Sequence, residues 1–215
     1  MQEVEFYIIR HGETLLNKLG KAQGLTDSPL TADGIQSAVR LKQALCNIDF
    51  SSVYSSDLPR AYNTAKIICG ERCNIHKDKR LREWCLGNFE AENFQDFINN
   101  ILNCSKNLKA NELNEHLPEV CGTIKLNDTT GMAESFDGIT KRLIGFFKDT
   151  AEYHFNFGGG KILVVTHAFA IKTILHIFAY DELKNVGKIS NSSATVIAYN
   201  GNDFYVKAVN KILFK

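Results

Sequence analysis

Apolar and polar positions along the chain switch between a strand-like and a helix-like period. Residues 3–9 (EVEFYII) are rich in β-branched and aromatic side chains and read as a buried strand that ends at Arg10-His11-Gly12. A loop of Gly, Asp, Ser and Pro follows at 24–29. Thr31 then has the chemistry of a helix N-cap, with Asp33 in the first turn. Ile35, Ala38, Val39 and Leu45 form the expected apolar stripe of that helix. The pattern then repeats. Residues 52–55 read as a short strand, and Asp57-Leu58-Pro59 opens a helix with Ala61, Ala65, Ile68 and Cys69 on one face. Ser135 caps a helix carrying Phe136, Ile139, Leu143, Phe146 and Phe147; 161–166 is a third strand and 168–178 a helix. Asn200-Gly201 joins 194–199 to 204–209 as a hairpin.

Strands alternating with helices imply an α/β fold, a three-layer sandwich with a mainly parallel mixed sheet and helices on both faces. Between 93 and 130 the chain is polar, Asn-rich and poor in strand signals. That stretch is expected to be a helical insertion over the site, within a single domain spanning 1–215.

Composition narrows the function classes. With 25 basic and 24 acidic side chains the net charge is +1, so no overall field favours nucleic acid or an anionic membrane. Any anion must be held by a few local cations. The six cysteines show no CxxC pair and no zinc-like spacing with histidine, which points to reduced thiols. The start MQEVEFYIIR does not read as a signal peptide, and the apolar stretch 162–180 is interrupted by His167, Lys172 and His176, which argues against a membrane span. A cytoplasmic protein is the expectation.

Three stretches that carry chemistry sit directly after expected strands: Arg10-His11-Gly12-Glu13-Thr14, Ser55-Ser56-Asp57-Leu58-Pro59-Arg60 and Thr166-His167-Ala168. In open α/β sheets, ligands bind outside the carboxyl ends of the strands. Two arginines and two imidazoles gathered there would make a phosphate site.

RHGET, QGLTDSPLT, YSSDLPRAYNTA, LREWCLGNFE and VVTHAFA occur in the order found in the histidine phosphatase superfamily, also called phosphoglycerate-mutase-like. The resemblance covers 4–90 and 131–199, and 93–130 matches nothing recognisable. It implies that His11 attacks phosphorus and becomes phosphohistidine. It further implies that Arg10 and Arg60 grip phosphoryl oxygens, with His167 donating to them as charge develops. Asn17, in the RHGxTxxN pattern, adds a donor. Glu83 protonates the leaving alcohol and later takes a proton from water. The substrate loop contains Gln23 and Gly24, and Ala168 offers a backbone N–H.

Physical chemistry supports each role. Neighbouring arginines keep an imidazole unprotonated and so nucleophilic. Phosphoryl transfer needs mainly positioning and electrostatic stabilisation, so fixed cations can serve without a metal or cofactor. Taken singly, the same residues have plainer readings: surface ion pairs for Arg10, Arg60 and Glu83, a packed polar group for His167, loop shaping for Asn17. Glu13 fits substrate contact or capping equally well, and His76, His116, His154 and His176 read as structural.

Two departures from the family pattern stand out. Ala168 replaces the usual Gly after the second histidine, where a positive φ would strain a methyl group. Ala91 replaces the Gly of FEG, which bears on the loop near Glu83.

Within the resemblance, a phosphatase acting on a small phosphomonoester is the favoured expectation. The loop at 23–29 has no tryptophan and the final strand is followed by only a few residues, up to Lys215, whereas mutases carry a covering tail. The alternatives are a phosphoglycerate-mutase-type phosphotransferase and a non-catalytic phosphate-ligand binder. A sugar phosphate, a nucleotide-derived phosphate or a cofactor-precursor phosphate would each fit as the small phosphorylated metabolite, and the pattern sets no oligomeric state.

Overall fold

A computed structural model of the chain describes residues 2–70, 73–105 and 108–214. Lys106 and Asn107, inside the expected insertion, lie outside the described residues, as do Met1 and Lys215, the ends of the expected domain. Six strands form one sheet: β1 (Val4–Arg10), β2 (Ser52–Ser55), β3 (Ile75–Lys77), β4 (Gly160–Thr166), β5 (Ala194–Tyr199) and β6 (Phe204–Lys211), in the order β3-β2-β4-β1-β5-β6. β1, β4, β2 and β3 run parallel to their neighbours, while β5 and β6 are antiparallel additions on the other side of β1.

Among the described residues the helices run from α1 (Leu15–Lys18) to α8 (Tyr180–Lys184), and alternation in β1 and β4 explains why they cover both faces of the sheet. Phe6, Ile8, Ile162 and Val164 point into one core, against α6 (Phe136–Asn156) and α7 (Ala168–Phe178). Ile9, Leu163 and Val165 point into a second core with Leu41, Ala61 and Ala65 of α2 (Ala32–Ala44) and α3 (Pro59–Cys69). Strands buried on both faces need apolar residues at every position, which is why they read as unbroken runs. Truncating a fully buried phenylalanine such as Phe6 or Phe147 would cost about 3–5 kcal/mol.

The helix starts follow their capping chemistry. Thr31 accepts from Gly34 N and Ser135 accepts from Gly138 N, each through its side chain. The buried stripe of α2 differs from the expected one: Ile35 is exposed, and Gly34, Ala38, Leu41 and Leu45 face inward. The cause is a backbone-to-backbone contact. A Cβ on Gly34 would lie 2.1 Å from Glu13 O, and one on Gly12 would lie 2.7 Å from Gly34 O, so only glycine permits α2 to press on the loop after β1. The hairpin forms where expected, β5 ending at Tyr199 and β6 starting at Phe204, with the connection running from Asn200 to Asp203. Strand β3 was not expected at all. It is three residues long, and His76 and Lys77 are exposed on the sheet edge, so it has no apolar signature.

The stretch 93–130 contains α4 (Phe94–Cys104) and α5 (Leu117–Asn127), both packed into the larger core through Phe97, Ile101, Leu117, Val120 and Ile124. No described helix is long and apolar enough to cross a membrane, and the cysteines are free thiols.

Backbone strain falls on Ala91 and not on Ala168. Ala168 is the first residue of α7 and adopts ordinary helical backbone, so its methyl group costs nothing. Ala91 has φ 60, a left-handed conformation that costs an L-residue roughly 1–2 kcal/mol. Its N–H still bonds to Ala22 O at 2.9 Å, which keeps the loop in place. Ala91→Gly is expected to raise stability by about 1 kcal/mol, read as a higher urea midpoint at unchanged slope. A lower midpoint would show that residue 91 does not need the left-handed region.

Candidate active site

β1, β2 and β4 end level with one another. Arg10 pairs with Thr166 and Ser55 with Val165, and the next amides continue the ladder, His11 N to Thr166 O and Ser56 N to Val165 O, both at 2.9 Å. The side chains that follow these strands therefore converge. His11 and His167 lie with ring centroids 5.1 Å apart, and Arg10, His11, Arg60, Glu83 and His167 are all buried.

The tautomer of His11 follows from its two neighbours. Its Nδ1 lies 2.8 Å from Gly12 O, a group that can only accept, so Nδ1 carries the hydrogen. Arg60 Nε, which can only donate, lies 3.3 Å from His11 Nε2, so Nε2 presents a lone pair. Burial first, then the charges of Arg60 and Arg10, hold the ring well below the usual imidazole value of 6.5. A neutral imidazole with a directed Nε2 lone pair is a nucleophile. Its backbone is fixed independently: Gly12 N donates to Thr64 Oγ1 and Asn191 Nδ2 donates to His11 O, both at 3.0 Å.

His167 is fully buried, and neither ring nitrogen has a partner among the described residues. Burial, then the charge of Arg60, keeps it neutral as well. An unmatched buried polar group costs about 1–3 kcal/mol, which a ligand oxygen would relieve. Arg10 Nη1 donates to Ile189 O at 2.5 Å, while its Nε is buried without a partner. Burial pulls this arginine down to about 10.

Glu83 closes the arrangement. Its Oε1 accepts from Trp84 N (3.0 Å) and Ala170 N (2.8 Å), and its Oε2 accepts from Phe169 N (2.9 Å). The carboxylate thus sits on the N-terminus of α7, where amide donors and the helix dipole favour an anion. Burial nonetheless wins and raises its pKa, against those amide bonds and the charge of Arg60. A carboxyl group poised to hold or release a proton suits acid–base work.

A cavity of about 660 Å³ opens beside these groups. Arg10, His11, Asn17, Gln23, Glu83 and Ala168 line it, whereas Gly24, Arg60 and His167 do not, although His167 stands directly beside His11. Arg60 is occupied by the loop: Nη1 donates to Thr26 O and Asp27 Oδ1, and Nη2 donates to Gly24 O. The donors expected to meet phosphoryl oxygens are here turned to loop acceptors. Asn17 closes a capping box with Thr14 and accepts from Asn191 Nδ2, and Gln23 bridges Thr14 and Ser28. Glu13 accepts from Thr31 Oγ1 at 2.7 Å, which is its capping reading. Among the described residues no three His, Cys, Asp or Glu side chains form a metal-binding group.

Several contributors escaped the sequence reading. Glu90 accepts from Gly24 N, Leu25 N, Thr26 N and Leu86 N and so shapes the loop at 24–26. Asn191 ties His11 to Asn17 from a loop with no distinguishing pattern. Lys172 lines the cavity, and helical spacing from Ala168 would have indicated it.

Comparison with known proteins agrees with this geometry. A crystal structure of phosphoglycerate mutase from Bacillus anthracis str. Sterne superposes with TM-score 0.91 at 30% identity, covering 98% of this chain and 94% of that one. Phosphoserine phosphatase from Entamoeba histolytica, in complex with 3-phosphoglyceric acid, superposes with TM-score 0.73 at 27% identity, covering 97% and 98%. Among curated proteins, the probable phosphoglycerate mutase GpmB of Escherichia coli O1:K1 / APEC is 35% identical over 133 residues, which is 60% of this chain. The match spans only 61% of that relative's length. The family model of the histidine phosphatase superfamily (branch 1) matches residues 6–212, and the chain belongs to that superfamily.

Proposed function

We propose that the chain is a phosphatase that hydrolyses a phosphomonoester through a phosphohistidine on His11, without a metal. The observation that carries this reading is the neutral His11 ring at the cavity wall, with Nδ1–H on Gly12 O and its Nε2 lone pair facing Arg60 Nε. In the first half-reaction Nε2 attacks phosphorus and the ester P–O bond breaks, while Glu83 delivers a proton to the departing alkoxide. In the second, Glu83 takes a proton from water as that water attacks the phosphohistidine, releasing phosphate and neutral His11. Arg10 and an N–H of His167 meet the phosphoryl oxygens, where each donor is worth about 10²–10³ in rate.

Hydrolysis is favoured over transfer by the size of the site. At about 30 Å³ per molecule, the cavity has room for well over ten waters beyond a small bound ester. A mutase has to keep its phosphohistidine dry. A mutase is the second reading, favoured by the Bacillus anthracis relative.

The test assays phenyl phosphate in EDTA, beside 3-phosphoglycerate with and without its bisphosphate. Phosphate release in EDTA is the expected result. Efficient isomerisation with little release would replace this reading by the mutase, and phosphate-ester binding with neither activity would replace it by a binding protein.

A further inference from the structure

The cavity beside His11 contains a cation that the phosphoryl chemistry does not use. Lys172 lies on α7, three residues after Phe169, whose N–H holds Glu83. It lines the same cavity as Arg10, His11 and Glu83. Among the described residues its ammonium has no hydrogen-bond partner and no salt bridge; burial, then the charge of Arg10, pulls it down to about 8, with Glu83 alone opposing. The ammonium meets only the Phe169 ring, 5.7 Å from its centroid; Arg10 likewise lacks a carboxylate partner, whereas two neighbouring arginines are matched. Arg60 has Asp27 and loop carbonyls, and Arg142 has Glu134 together with the carbonyls of Arg80, Arg82 and Glu83. A partly buried ammonium without a counter-charge is unfavourable until a ligand brings one.

Lys172 follows Phe169 by about one helical turn, so its cation and the Glu83 cradle open into the same cavity. The wall beyond is apolar, formed by Phe94, Ile98, Leu117, Val120 and Phe169. Such a wall receives carbon; Lys21, Lys184 and Lys188 also line the cavity, but Lys172 is the lysine that feels the charges of Arg10 and Glu83 and so stands beside the phosphoryl site.

We propose that Lys172 is a specificity-determining residue that binds a second anionic group, carboxylate or phosphate, on the body of the phosphomonoester. The proposal rests on the phosphatase reading for its assay, but it concerns a different part of the ligand. A lysine ammonium is a compact point charge and accepts either anion, without the planar match that arginine demands.

The experiment compares wild type, Lys172→Met and Lys172→Arg. One arm uses phenyl phosphate against its 2-, 3- and 4-carboxyphenyl analogues. The other uses 3-hydroxypropyl phosphate against propanediol bisphosphate. The quantity read is the ratio of kcat/KM for the anionic-bodied substrate to that of its neutral partner in the same protein, which cancels any general loss. Lys172→Met is expected to lower this ratio by about 10–100-fold, mainly through KM, for at least one carboxylate or for the bisphosphate. Lys172→Arg keeps most of it. The arm that responds identifies the anion. An unchanged ratio in both arms overturns the proposal. If wild type turns over none of these esters, the phosphatase reading fails by itself, and the same ratios measured as Kd by calorimetry decide the role of Lys172.

Discussion

His11→Ala is expected to fold like the parent and to lose about 10⁴-fold or more in kcat on phenyl phosphate. The size of the loss follows from the site. Only Nε2 of His11 combines a directed lone pair with a charge-suppressed ring among the groups lining the cavity. Folding is protected because the backbone at 11–12 is held by Thr64, Asn191 and the Thr166 ladder, none of which involves the ring. The check is turnover together with a urea unfolding curve, and with a quench of enzyme mixed with radiolabelled phosphate ester. Wild type is expected to trap an acid-labile, base-stable phosphoryl label, and the variant none. Normal turnover in a folded variant would refute the assignment of His11.

Glu83→Gln carries the second large effect, with a dependence on leaving group. An alkyl ester leaves as a strongly basic alkoxide and needs the proton that Glu83 supplies, whereas a nitrophenolate does not. Loss of general acid catalysis is worth about 10²–10⁴-fold, so the alkyl ester is expected to slow by that much more than p-nitrophenyl phosphate. The amide also meets a local conflict. Glu83 faces three backbone N–H donors, and a glutamine can offer them only one oxygen, which sets its NH₂ against Trp84 and Ala170 or against Phe169. A stability loss of about 1–3 kcal/mol is expected beside the kinetic one. Comparing two esters in the same variant separates the two effects. Equal slowing of both esters would leave Glu83 as a helix cap and no more.

Much of the architecture was legible in the sequence because burial on two faces demands apolar runs, and caps demand particular side chains. β1, β2, β4 and α7 could be located that way, together with the ends of strands where the site forms. β3 could not, since three edge residues with two exposed side chains carry no pattern. The stripe of α2 was misjudged at Ile35 because a glycine contact, not an apolar side chain, sets its rotation. For the site, residue types after strands pointed to Arg10, His11, Arg60 and His167, and the family resemblance pointed to Glu83; the fold brings the five together. What the pattern could not convey is which donors are already engaged. Arg60 is tied to loop carbonyls, and Glu90 ties that loop in turn, through contacts separated by 34 to 66 positions. Ala168 and Ala91 make the same point: the strain lies at the second, and only backbone angles distinguish them.

Glu90 holds four backbone amides at once. Three belong to residues 24–26 and one to Leu86, so a single carboxylate makes these two segments travel as one body. The same segment supplies the carbonyls that hold Arg60. An anion that draws Arg60 away from those carbonyls leaves them unpaired unless that body shifts as well. Occupation of the pocket and loop displacement then become reciprocal events: whatever favours the shifted loop tightens anion binding, and a bound anion populates the shifted loop by the same factor.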